Sequence, residues 1–191
     1  MLILAHVGYT VGAGWAAQRL RLKNRVDFRL LAFTAIFPDI LDRTLYLLII
    51  PDAQSGRLIA HTTAFQLASL SVLVAIRRSF WVYGVASLAH LALDAQGLPA
   101  KHAFWPLLGS ELENVSIVRG SARAAGQSFG ERVLGRLHVI TNTYGNADLR
   151  AILLECGGLA VLAAFVVGTR LYERRRLLSL LRRGSASGPK A

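Results

Sequence analysis

Cysteine is nearly missing from this chain of 191 residues: Cys156 is the only one, so no internal disulfide can staple the fold. Its place in an apolar stretch marks it as a small packing residue rather than a nucleophile. Charge is scarce at 17% of residues, and acids are scarcer than bases, 11 Asp and Glu against 22 Lys and Arg. No low-complexity run, internal repeat or Pro/Gly/Ser linker divides the sequence, which predicts one domain over residues 1–183. Only the end, 184–191, has the composition of a disordered tail. No basic stretch precedes the first apolar segment, which argues against a cleaved secretory signal.

Apolar residues are what the chain has in excess, with a hydrophobic fraction of 53% and a mean hydropathy of +0.43. Such a composition exceeds that of soluble domains and predicts an all-α fold, a polytopic membrane bundle of about five transmembrane helices. Apolar segments at 2–18, 28–50, 58–76, 79–95 and 151–169 each approach the roughly 20 residues that cross about 30 Å of hydrocarbon. Pro38 lacks an amide N–H and clashes with the preceding turn, so the second span is expected to be interrupted there. The segment 96–150 is expected outside the membrane. Within it, Phe129, Val133, Leu137 and Ile140 recur at helical spacing, which suits an amphipathic helix lying on the surface or capping a site.

Fourteen of the 22 Lys and Arg fall between spans one and two, between three and four, or after span five. The positive-inside rule assigns that side to the cytoplasm, so the amino terminus is expected outside and the carboxy terminus inside. The net charge of +11 then orients helices and meets the headgroups of membrane lipids. A nucleic-acid partner is not expected, because the basic residues are split among three loops with no recognition motif.

Against this apolar background six ionisable residues stand out: His6, Asp39, Asp42, His61, His90 and Asp94. Such side chains are costly at hydrocarbon depth and are normally retained to face a polar cavity with a task. Successive spans run in opposite directions, and the six alternate between early and late positions so that all fall toward the outer face. His90 and Asp94 are spaced i, i+4 and Asp39 and Asp42 i, i+3, so each pair projects from one helical face. Three imidazoles and three carboxylates suit Zn(II), with Mn(II) or Fe(II) as substitutes.

The order Ala5-His6, Phe37-Pro38-Asp39-Ile40-Leu41-Asp42, Arg57-Leu58-Ile59-Ala60-His61-Thr62, Ala89-His90-Leu91-Ala92-Leu93-Asp94 and Phe104-Trp105-Pro106-Leu107 resembles the bacterial inner-membrane, metal-dependent hydrolase family typified by the LexA-binding protein YdjM. The likeness covers residues 1–110. That family shows an early AH, a PDxD-like element, HRGxTHS, SHLxLD and a later WP. Here Gly56 stands at the first His of HRGxTHS, Leu58 at its Gly, Ala60 at its Thr and Thr62 at its Ser, and the second acid of the PDxD-like element comes one residue late.

The resemblance implies His6, Asp39, His61, His90 and Asp94 as metal ligands, with Asp42 a further carboxylate, and a membrane-bound hydrolase of the inner membrane. On that reading a metal-acidified water supplies hydroxide, and the general base is Asp42 or Asp39, whichever does not ligate. Arg57, Lys101 and Arg43 are candidates to hold the phosphate of a phosphate ester or lipid-linked substrate, or else anchor to headgroups. Thr62 and Thr63 are candidates to orient ligands, and His102 is a possible extra ligand. Two other classes share these residues: a cation- or proton-coupled transporter, disfavoured by the lack of an inverted repeat, and a non-catalytic membrane scaffold with a degenerate site.

Overall fold

The computed structural model describes residues 3–21, 26–48, 57–94, 98–109, 128, 130–131, 133–135, 145 and 148–186. The fold is all-α, and helix is the only regular structure among these residues. Five longer helices occupy the five expected apolar segments: α1 (Ile3–Arg19), α2 (Phe28–Leu48), α3 (Thr63–Ile76), α4 (Trp81–Asp94) and, after the short α5 (Ala100–Ala103), α6 (Leu149–Thr169). A further helix, α7 (Arg174–Arg183), follows α6 across a short turn. Much of the 96–150 segment, with the amphipathic helix expected over 129–140, lies outside the described residues.

Three expectations change. The second helix runs unbroken through Pro38 from Phe28 to Leu48. A proline forfeits one backbone hydrogen bond, a loss that the packing of α2 against α1 and α4 can offset. The third segment does not begin as helix at 58: Ile59–His61 forms a 3-10 turn, and Thr62, whose hydroxyl accepts from Phe65 N–H, caps α3. Finally, the first residues of the expected disordered tail are docked. Gly184 closes α7 in the left-handed region at φ 67°, its carbonyl accepts from Phe28 N–H, and Ala186 is buried in the core. A side chain at Gly184 would collide with the Asp27 carboxylate, so glycine is required there twice over.

Of the five longer helices, α6 alone among the described residues is both long and apolar enough to cross a bilayer. The helices α3 and α4 have 14 residues each, about 21 Å of rise. In α2, Arg29, Asp39, Asp42 and Arg43 interrupt the apolar run.

Small residues set the packing of α1 on α6. A Cβ at Gly8 would meet the Gly158 carbonyl, and one at Gly158 would meet the Ala5 backbone, so the two helices touch main chain to main chain. Further along, Gly12 faces Val161 and Gly168 faces Trp15, so the two helices run parallel. At the start of α1 the Glu155 carboxylate of α6 accepts from Leu4 N–H at 2.9 Å and Ala5 N–H at 3.0 Å, occupying the free donors of a helix amino terminus. The apolar core gathers at the opposite end, where Val11, Phe28, Leu31, Tyr83 and Phe165 meet. Asp27 caps α2 there and donates its own N–H to the Tyr83 hydroxyl. Arg29 beside it holds the Asp27 carboxyl below the usual carboxylate range.

Candidate metal centre

The end of the bundle away from this apolar core is polar and closed. His6, Asp42 and His61 are fully buried, and His90 and Asp94 nearly so. Each comes from a different place in the fold: His6 from the first turn of α1, Asp39 and Asp42 from the second half of α2, His61 from the 3-10 turn before α3, and His90 and Asp94 from the last turns of α4.

His61 is held from behind. Its Nδ1 lies 2.6 Å from Asp42 Oδ2, and the same carboxylate accepts from Leu58 N–H at 2.6 Å and Ala60 N–H at 2.8 Å. Asp42 therefore organises the 57–61 turn and orients His61, with both of its oxygens engaged. Of the two expected candidates for general base, Asp42 and Asp39, Asp42 is thus closed to solvent with its carboxylate spent on three donors. His90 is held in the same manner by a different acceptor, with Nδ1 2.8 Å from the Ala35 carbonyl of α2. A carbonyl and a carboxylate only accept, so both Nδ1 atoms carry a hydrogen, and in a neutral ring the Nε2 atom then presents a lone pair.

Those two Nε2 atoms face each other at 3.2 Å. Two neutral rings would set lone pairs against each other at that distance, and a shared proton or a shared metal cation removes the repulsion. Two imidazole nitrogens on one tetrahedral ion, with bonds of about 2.0–2.1 Å, would stand roughly 3.3 Å apart, so the spacing fits a shared metal. Carboxylates approach the same place: His61 Nε2 lies 3.7 Å from both Asp39 Oδ1 and Asp94 Oδ2, and His90 Nε2 4.0 Å from Asp94 Oδ2. The His6 ring stacks on His90 with centroids 4.1 Å apart, and its Nε2 is 3.3 Å from Asp94 Oδ1 without hydrogen-bond alignment. Both nitrogens of His6 are buried without a hydrogen-bond partner, which is expensive unless a cation or water completes them. Two overlapping triads result, Asp39–His61–His90 and His6–His90–Asp94, each with ligand atoms within 4.8 Å of one another. All five expected ligands thus come together, and the residues present fit a divalent ion.

The expected substrate groups divide. Arg57 reaches Asp94 Oδ2 at 3.0 Å from a partly exposed position, and Arg43 lies 3.8 Å from Asp39 Oδ1. Lys101 is exposed on α5, outside this cluster. His102 beside it is buried and donates from Nε2 to the Leu58 carbonyl at 2.8 Å, so it pins the 57–61 turn rather than joining the ligands. Burial pushes the His102 imidazole below its usual range. Thr62 caps α3 and donates to the Ile59 carbonyl, bracing the turn without touching a ligand.

Two site residues have no counterpart among the expected ones. Gln66, fully buried in α3, donates to the Ala60 carbonyl at 2.7 Å and accepts from the Ser87 hydroxyl of α4 at 2.7 Å. This chain ties α4 through α3 to the turn that carries His61. An amide in an otherwise apolar helix, five residues past His61, was the available signal. Comparison with family models, with curated proteins and with solved structures finds no match to this chain.

Proposed function

We propose that the chain is a multi-pass protein of the bacterial inner membrane and a metal-dependent hydrolase, its site toward the outer face, its amino terminus outside and its carboxy terminus cytoplasmic. The pair of facing imidazole nitrogens at 3.2 Å carries the metal half of this reading, with Asp39, Asp94 and His6 disposed around it. The N and O donor set favours Zn(II), with Mn(II) or Fe(II) as substitutes. A divalent ion held there would act as a Lewis acid toward a phosphoryl or acyl oxygen and activate water for attack. Asp39, the least buried of the three carboxylates, is the group left to accept a proton when His61, His90, His6 and Asp94 hold the ion. Arg57 and Arg43, each set against a site carboxylate, favour an anionic substrate, a phosphate ester or lipid-linked phosphate, onto which Arg57 could exchange from Asp94.

The membrane half is supported by an inverted distribution of polarity. Apolar side chains of α6 face outward, with Leu153 62% and Val167 66% exposed, while histidines and aspartates fill the interior. A soluble fold would pay heavily for that arrangement, whereas a bilayer favours it. The motif order that resembles the hydrolase family points the same way.

Purified protein is expected to carry close to stoichiometric divalent metal by elemental analysis. His90→Ala and Asp94→Ala are expected to lose that metal together with phosphate-ester hydrolysis. Folded, metal-free protein that stays inactive when Zn(II) is supplied would sink the catalytic reading in favour of a scaffold.

A further inference from the structure

At the end of the bundle opposite the histidines, α6 finishes on Arg170 in the left-handed region, and α7 begins four residues beyond it, at Arg174. The sequence of α7, RRRLLSLLRR, separates its residues by face after Arg174, which starts the helix on the leucine side. Leu177, Leu178 and Leu181 share one side, and Arg175, Arg182 and Arg183 share the other. Leu180 packs on the core, yet Leu177 and Leu181 remain exposed at 42% and 58%. The helix is anchored by main chain: Arg29 Nη1 donates to the Leu181 carbonyl at 2.8 Å, Phe28 N–H to the Gly184 carbonyl at 2.8 Å, and Arg176 reaches back to the Thr169 carbonyl of α6. Its position is therefore set by the fold.

Charge at this end is strongly one-sided. Among the described residues the acids here are Asp27 and Glu173, and both are already paired, with Arg29 and with Arg170 and Arg176. Arg174, Arg175, Arg182 and Arg183 are exposed and have no acidic partner among the described residues, and Arg19, Arg21 and Arg78 are exposed at the same end. A surface that interleaves unpaired guanidinium groups with exposed leucines, directly after an apolar helix, matches a bilayer interface of anionic phospholipid. A duplex would satisfy the arginines but leave the leucines in water.

We propose that α7 lies in the plane of the membrane as a preformed binding surface for anionic phospholipid headgroups, with Leu177 and Leu181 inserted at the acyl boundary and Arg174, Arg175, Arg182 and Arg183 on phosphates. This rests on the membrane reading above. It adds a lipid requirement, since a basic amphipathic helix binds acidic bilayers by apolar burial together with charge.

The test uses the full chain with Cys156→Ser, reconstituted in phosphatidylcholine bilayers with and without phosphatidylglycerol. Spin labels are placed at Leu177→Cys, Leu181→Cys, Arg175→Cys and Arg183→Cys, with Leu159→Cys on α6 as the insertion reference. In the anionic bilayer the labels at 177 and 181 are expected to meet oxygen more than a water-soluble nickel chelate, and those at 175 and 183 the reverse. A fluorophore at 181 is expected to be quenched preferentially by brominated phosphatidylglycerol over brominated phosphatidylcholine. Changing the four arginines to Gln should cut that preference by at least about tenfold. The proposal is overturned if 159 reports lipid while 177 and 181 report water, if the arginine variant keeps its preference, or if duplex DNA at equal salt displaces the lipid. Water at 159 itself would overturn the membrane reading first.

Discussion

Asp42 and Asp39 are three residues apart on one helix and face different tasks because of what the turn at 57–61 does. That turn folds back so that Leu58 N–H, Ala60 N–H and His61 Nδ1–H all converge on Asp42, while Asp39, one helical turn nearer the amino terminus, stays 3.7 Å from the Nε2 side of His61. If Asp42 acts through His61, its amide variant should damage metal binding without removing a ligand. Asp42→Asn is expected to weaken metal affinity by about 10–100-fold in chelator competition, with the protein still folded. An affinity equal to that of the parent protein would show that His61 orients itself.

Elements meet here under two kinds of constraint. Where α1 crosses α6, a methyl added at Gly8 has only the Gly158 backbone to displace, but one added at Gly12 meets the movable end of Val161. Gly8→Ala is therefore expected to destabilise by about 1–3 kcal/mol in detergent unfolding and Gly12→Ala by clearly less. Equal effects would argue against main-chain contact at Gly158. The second constraint is electrostatic and sits at the start of α2, where the hydrogen bonds of Arg29 depress the pKa of Asp27. A carboxyl depressed on folding adds stability above its unfolded pKa and loses it as pH falls through the folded value. Asp27→Asn should therefore cost stability near neutral pH and progressively less as pH falls below the usual carboxylate range; a cost independent of pH would assign the effect to the cap geometry alone.

Across the whole molecule, eleven arginines among the described residues lie at one end or in the turns beside it, and the described histidines lie at the other. With a bilayer between, a polar reagent applied to intact cells should label Lys101→Cys but not Arg183→Cys, both in a Cys156→Ser background, and permeabilised cells should label both. The opposite pattern would invert the orientation and place the site in the cytoplasm.

The site is legible in the sequence because a bundle whose successive helices run in opposite directions brings alternating early and late positions to one end, and His6, Asp39, His61, His90 and Asp94 follow that rule. Composition likewise carried the helical class. Periodicity says which residues share a helix face or a depth. It does not say which donors will reach a given oxygen. That Asp42 supports His61, that Ser87 holds Gln66, that Glu155 caps α1 and that Gly8 admits Gly158 are all contacts between segments 16 to 151 residues apart. Such contacts depend on angles of approach and on single ångströms of backbone separation, which exist only after the helices have packed.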